Sequence, residues 1–87
     1  MSKISTAQLL GLCGRMATSL EAGIDVRIAW KRESERARAS AAATFSKITS
    51  SLSRGDSLTD ALAEHRDRFP ALFLQMVEIG EAAGKLP

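Results

Sequence analysis

Apolar positions along this chain recur at intervals of three and four, the spacing that gathers side chains on one face of an α-helix, and no stretch alternates apolar with polar over a useful length. Leu9, Leu12, Cys13, Met16, Ala17 and Leu20 share the face of a first helix predicted from about Thr6 to Ala22. Ser5 or Thr6 can cap its start, and Gly23 stands where a left-handed residue ends a helix. Burying each of the larger side chains is worth roughly 1.5 to 3 kcal/mol, enough to hold the helix against neighbours but not to hold it alone.

Asp25 can cap a second helix reaching about Arg38, with Val26, Ala29 and Trp30 as a narrow apolar stripe on an otherwise solvated element. A third runs from about Ser40 to Arg54, where Ala41, Phe45, Ile48 and Leu52 form the stripe and Gly55 supplies the stop. Arg36 to Ala43 contains no helix breaker, so the second and third could also be one continuous helix. Ser57 and Asp60 form a variant capping box for a short fourth helix ending near His65 or Arg66. After Phe69, Pro70 takes a first helical position, and Leu72, Phe73, Met76, Val77, Gly80 and Ala83 make the stripe of a fifth helix closed by Gly84. Gly80 lies inside that stripe, where glycine costs about 1 kcal/mol relative to alanine, so it is expected at a close helix crossing. The fold class is therefore all-α: a small antiparallel bundle of about five helices forming a single domain over residues 1–87.

Size changes this picture in one respect. A domain of 87 residues buries only about 60% of the surface its unfolded chain would expose. Without a disulfide or metal cluster, such a domain often completes its core by association, so a homodimer is expected. No apolar run approaches the roughly 18 residues of a membrane span, and no signal peptide is visible. Charge is uneven, +5 over residues 1–55 and −3 over residues 56–87.

Candidate chemistry is thin. Cys13, the single cysteine, lacks a cationic or histidine partner nearby and reads as a small buried hydrophobe in a reducing compartment. His65 is the single histidine and reads as a helix-end surface residue with no second ligand or nucleophile. There is no phosphate-cradling loop and no His-Glu-x-x-His, so no catalytic residue, cofactor or metal is expected, and the chain is not expected to be an enzyme. Arg27, Lys31, Arg32, Arg36 and Arg38, interrupted by Glu33 and Glu35, make a positive second helix. It is first a solvated face, and beyond that a docking face for an acidic partner or for anionic lipid headgroups. A small nucleic-acid-binding module using this helix is the alternative reading, although no recognition-helix pattern supports it. Glu81, with Lys85 four residues on, reads as a surface pair, or else as a contact across a dimer or to a bound cation. Glu78 joins it as a candidate partner contact.

Three segments together carry a resemblance. Leu12 to Asp25 has an arginine, small apolar residues and a leucine leading into Ala22-Gly23-Ile24. Leu52 to Leu62 has a helix end, Gly55, and Ser57-Leu58 opening the next helix. Phe69 to Leu86 reads Phe-Pro, an apolar helix, then Gly80-Glu81-x-x-Gly84-x-Leu86. In this order and spacing the chain resembles the type II secretion system F family, the inner-membrane platform of type II secretion and type IV pilus assembly. The resemblance implies a cytoplasmic helical domain at the inner face of the bacterial inner membrane, close to the bilayer without spanning it. It would touch an assembly ATPase and other components of the apparatus; no nucleic-acid partner is expected, since the domain as a whole is only slightly basic. Gly23, Gly55, Phe69, Pro70, Gly80 and Gly84 are its architectural positions. Family members continue past the Gly-x-Leu into another helix and a membrane span, so the resemblance further implies either a piece of a longer protein or a shortened relative. Residue 83 is alanine where members often carry serine or threonine.

Overall fold

The computed structural model describes residues 3–82. Five helices follow one another with no strand among the described residues: α1 (Thr6–Glu21), α2 (Val26–Arg36), α3 (Ala39–Ser53), α4 (Leu58–Ala63) and α5 (Ala71–Ala82). Ser5 opens α1 with a reciprocal capping box, its hydroxyl accepting the Gln8 N–H at 3.2 Å while the Gln8 side-chain carbonyl accepts the Ser5 N–H at 3.1 Å. The end of α1 is set by Gly23 at φ +84°: the Gly23 N–H reaches the Leu20 carbonyl and the Ile24 N–H the Ser19 carbonyl, both at 3.0 Å. Gly55, at φ +99°, closes α3 in the same way, its N–H donating to the Leu52 carbonyl and the Asp56 N–H to the Ser51 carbonyl.

The break between α2 and α3 is real, and it falls two residues earlier than Arg38. Ala37 and Arg38 are extended, although neither residue breaks helices by itself. Tertiary packing supplies the reason. With α3 folded back on α2, Trp30 stacks on Phe45 at a ring separation of 4.9 Å, and its indole N–H donates to the Phe45 carbonyl at 3.2 Å. A continuous helix would carry these two residues apart. Helix α4 is likewise shorter than expected. It ends at Ala63, and His65 sits in the following turn, its N–H on the Leu62 carbonyl and its own carbonyl accepting the Arg68 N–H. Pro70 immediately precedes α5 and offers its carbonyl to the Leu74 N–H. The expected stop at Gly84, with Ala83, lies outside the described residues.

A row of four aromatic rings runs through the core, Trp30 to Phe45, then to Phe69 at 6.4 Å and on to Phe73 at 5.5 Å. It ties α2, α3, the α4–α5 turn and α5 together, with Ile48, Leu52 and Leu62 packed around it. Each helix packs on its neighbour in the chain: α1 on α2, α2 on α3, α3 on α4, and α4 on α5. The ring does not close, because no Cα of α1 comes within 8 Å of a Cα of α5. Near their starts the Ile4 N–H donates to the Arg68 carbonyl at 2.7 Å, and further along they share the core through side chains such as Leu9, Met16, Phe73 and Val77. Two apolar stripes are consequently only half covered. On α1, Leu9, Leu12 and Met16 are buried, but Cys13 and Ala17 are exposed. On α5, Phe73 and Val77 are buried, but Leu72 is 67% and Met76 60% exposed.

Candidate interaction surfaces

Between α1 and α5 lies an apolar groove of about 440 Å³. Its α1 wall includes Leu10, Cys13 and Ala17, its α5 wall Leu72, Met76 and Gly80, and its floor reaches Trp30 and Phe73. None of the residues lining it is charged. Leu10, Leu72 and Met76 give the groove an exposed apolar rim. Cys13 therefore belongs to the groove wall instead of the core, correcting the expectation of burial. Partial burial raises the pKa of its thiol above the ordinary value, the opposite of what a nucleophile requires. Gly80 is half-buried on the same wall.

A second, polar cleft of about 400 Å³ opens between α1 and α2. Gly14, Arg15, Thr18 and Ser19 form one side and Arg32, Glu33 and Arg36 the other. At its base the Arg15 guanidinium grips Glu33, with Nε at 3.0 Å from both carboxylate oxygens and Nη2 at 2.8 Å from Oε1. Glu33 is only 6% exposed, and this bond holds the Arg15 pKa above its ordinary value. Sequence reading placed Glu33 among the solvated charges. Its spacing from Val26, Ala29 and Trp30 puts it on the buried stripe, which was the available signal.

The five basic candidates separate. Arg27 folds back on Asp25, the cap of its own helix, with Nε 2.9 Å from Oδ1; that hydrogen bond holds the Asp25 carboxyl below the usual range. Lys31, Arg32, Arg36 and Arg38 are exposed and form no ion pair among the described residues. Arg32 and Arg36 line the cleft between α1 and α2.

Glu81 has a role that no local spacing announces. Its carboxylate crosses to the start of α4, accepting the Leu58 N–H at 3.0 Å, the Thr59 N–H at 2.6 Å and the Thr59 hydroxyl. These N–H groups have no partner within α4, so Glu81 from α5 completes the cap that Ser57 begins by accepting the Asp60 N–H. Glu81 is thus an internal clamp between α4 and α5 rather than a surface residue; Lys85 lies outside the described residues, and Glu78 is exposed. Glu81→Ala is expected to lower stability by about 1 to 3 kcal/mol by orphaning these donors, and Glu81→Gln by less. Urea unfolding measures the loss, and faster hydrogen exchange at Leu58 and Thr59 locates it. Arg68 was also missed. It is buried, with Nη1 3.1 Å from the Thr44 hydroxyl.

Among the described residues no group of three or more His, Cys, Asp or Glu side chains is placed to hold a metal ion, and no helix is long and apolar enough to cross a membrane. A search of curated proteins gives no match. The family model described as type II secretion system (T2SS), protein F, matches residues 12–87. The chain belongs to the type II secretion system F family. Members are non-enzymatic platform proteins of the inner membrane, and membership supports a platform role in secretion or pilus assembly. The matched span contains both surfaces and the Glu81 clamp: in this F-family chain, the Gly80-Glu81 pair places a groove residue beside the residue that fastens α5 to α4.

Proposed function

We propose that this F-family domain is a scaffold on the cytoplasmic side of the inner membrane, coupling an assembly ATPase to the movement of pilins or pseudopilins through protein–protein contacts. The observation that carries the reading is the family match over residues 12–87, a span that contains the polar cleft and most of the apolar groove. In this reading the uncharged α1/α5 groove receives a second copy of the chain. The self-complementary chemistry of the groove supports that choice, as does the thin core of a domain of this size. The ATPase performs the chemistry, and this domain transmits position and force. No observation favours the nucleic-acid alternative.

Titration of the purified domain with an assembly ATPase from the same organism, read by calorimetry and by nucleotide turnover, tests the coupling. Saturable binding with altered turnover is the expected result. A domain that neither binds that ATPase nor changes its rate would end the coupling proposal, leaving family membership untouched.

A further inference from the structure

The groove and the Glu81 clamp account for α1, α4 and α5 and leave the outer face of α2 without a role. Lys31 and Arg32 stand next to each other there, Arg36 follows one turn later, and Arg38 lies just past the helix end, all exposed. The other two arginines nearby are already satisfied, Arg27 by Asp25 and Arg15 by Glu33. Glu35 is the one exposed carboxylate within α2. The backbone of the acidic half stays away from this face, since no Cα of α2 comes within 8 Å of a Cα of α4 or α5, and the α2 residues that share the core with those helices, Trp30 among them, lie on its buried side. In the middle of the basic face Ile28 is 52% exposed, one turn before Lys31 and Arg32.

We infer that the outer face of α2, with the cleft it forms against α1, is a docking surface for an anionic phospholipid bilayer, the cleft receiving a headgroup phosphate. Three features fit a bilayer better than an acidic protein. The unpaired cations are spread over a broad helix face, as a plane of headgroups requires. An exposed isoleucine among them can enter the boundary between headgroups and acyl chains, while the long Lys and Arg stems carry their charges outward. The cleft brings the Arg32 and Arg36 guanidiniums opposite the Thr18 and Ser19 side of α1, and its only carboxylate is already held by Arg15. A phosphate there meets guanidinium donors in the fork geometry that suits it. The face is separate from the α1/α5 groove, so it can be tested whether or not the chain self-associates or binds an ATPase.

Co-sedimentation of the purified chain with vesicles of phosphatidylcholine mixed with phosphatidylglycerol, against vesicles of phosphatidylcholine alone, is the test. The chain should bind the mixed vesicles only, and added salt should release it as the surface charge is screened. Each Lys or Arg near such a surface is worth about fivefold in affinity, so Arg32→Ser with Arg36→Ser should weaken binding by more than about tenfold. Both side chains are exposed, so circular dichroism should show the fold unchanged. Glu35→Gln should tighten binding a few-fold, and Ile28→Ser should weaken it at unchanged charge. Equal binding to the neutral vesicles, or no effect of the double arginine substitution, overturns the inference. Release by inorganic phosphate at the same ionic strength would make the cleft a free-phosphate site and overturn the bilayer as its source. Saturable binding to polyglutamate without binding to mixed vesicles would assign the face to an acidic protein instead.

Discussion

Trp30→Ala is expected to leave the purified chain largely unfolded. Trp30 is fully buried, stacks on Phe45, and heads the row of rings that links α2, α3 and α5. Truncating a buried tryptophan typically costs about 3 to 5 kcal/mol, because the surroundings only partly collapse into the space. A small domain has on the order of 5 to 15 kcal/mol in all, and one with an open groove belongs at the low end. The substitution also removes the side-chain donor to the Phe45 carbonyl and the contact that turns the chain back between α2 and α3. Trp30→Phe keeps a ring in the stack and loses only the N–H, so it should cost about 1 to 2 kcal/mol. Urea unfolding followed by far-ultraviolet circular dichroism decides the matter, since Trp30 is the chain's single tryptophan and its fluorescence is lost with it. A native-like transition for Trp30→Ala would show that the aromatic row is not the keystone.

Leu72→Glu combined with Met76→Glu is expected to abolish self-association while leaving the monomer folded. Both side chains are mostly exposed in the single chain, so a carboxylate at either position stays solvated there. In a dimer that closes the groove, the same carboxylates would be buried without partners. Such a change at the centre of an interface costs on the order of 2 kcal/mol or more per position. Light scattering over a concentration series should show a dimer for the parent chain and a monomer for the double variant. Ile79→Glu is the control, because Ile79 is equally exposed on α5 but does not line the groove. A parent chain that stays monomeric at high concentration contradicts the dimer.

These two expectations divide along the line between what was legible in the sequence and what was not. Ser5, Asp25 and Ser57 act locally, each accepting a backbone N–H two or three residues on, and the glycine stops at Gly23 and Gly55 are equally local. Such features can be read from spacing. Periodicity also identified the stripes on α1 and α5, but it reports which residues share a face and not how much of that face the fold covers. Cys13, Leu72 and Met76 therefore looked like core and are groove. The α2–α3 break has no evident local cause, since Ala37 and Arg38 tolerate helix; it goes with the packing of α3 back on α2, in which Trp30 pairs with Phe45. Glu81 and Arg68 were opaque for the same reason. Their partners lie more than twenty residues away, where an i, i+4 rule cannot look.

The succession of helices, each packed on the one before it, has a bearing on how the protein is made. Pairings between chain neighbours close short loops, and a topology dominated by them folds quickly. On a ribosome, every helix from α2 onward would emerge to find its partner already waiting. The backbone hydrogen bond between Ile4 and Arg68, which joins the two ends of this succession, would form only after α4 has been synthesised. The domain can thus be assembled like a chain of dominoes and latched once at the end.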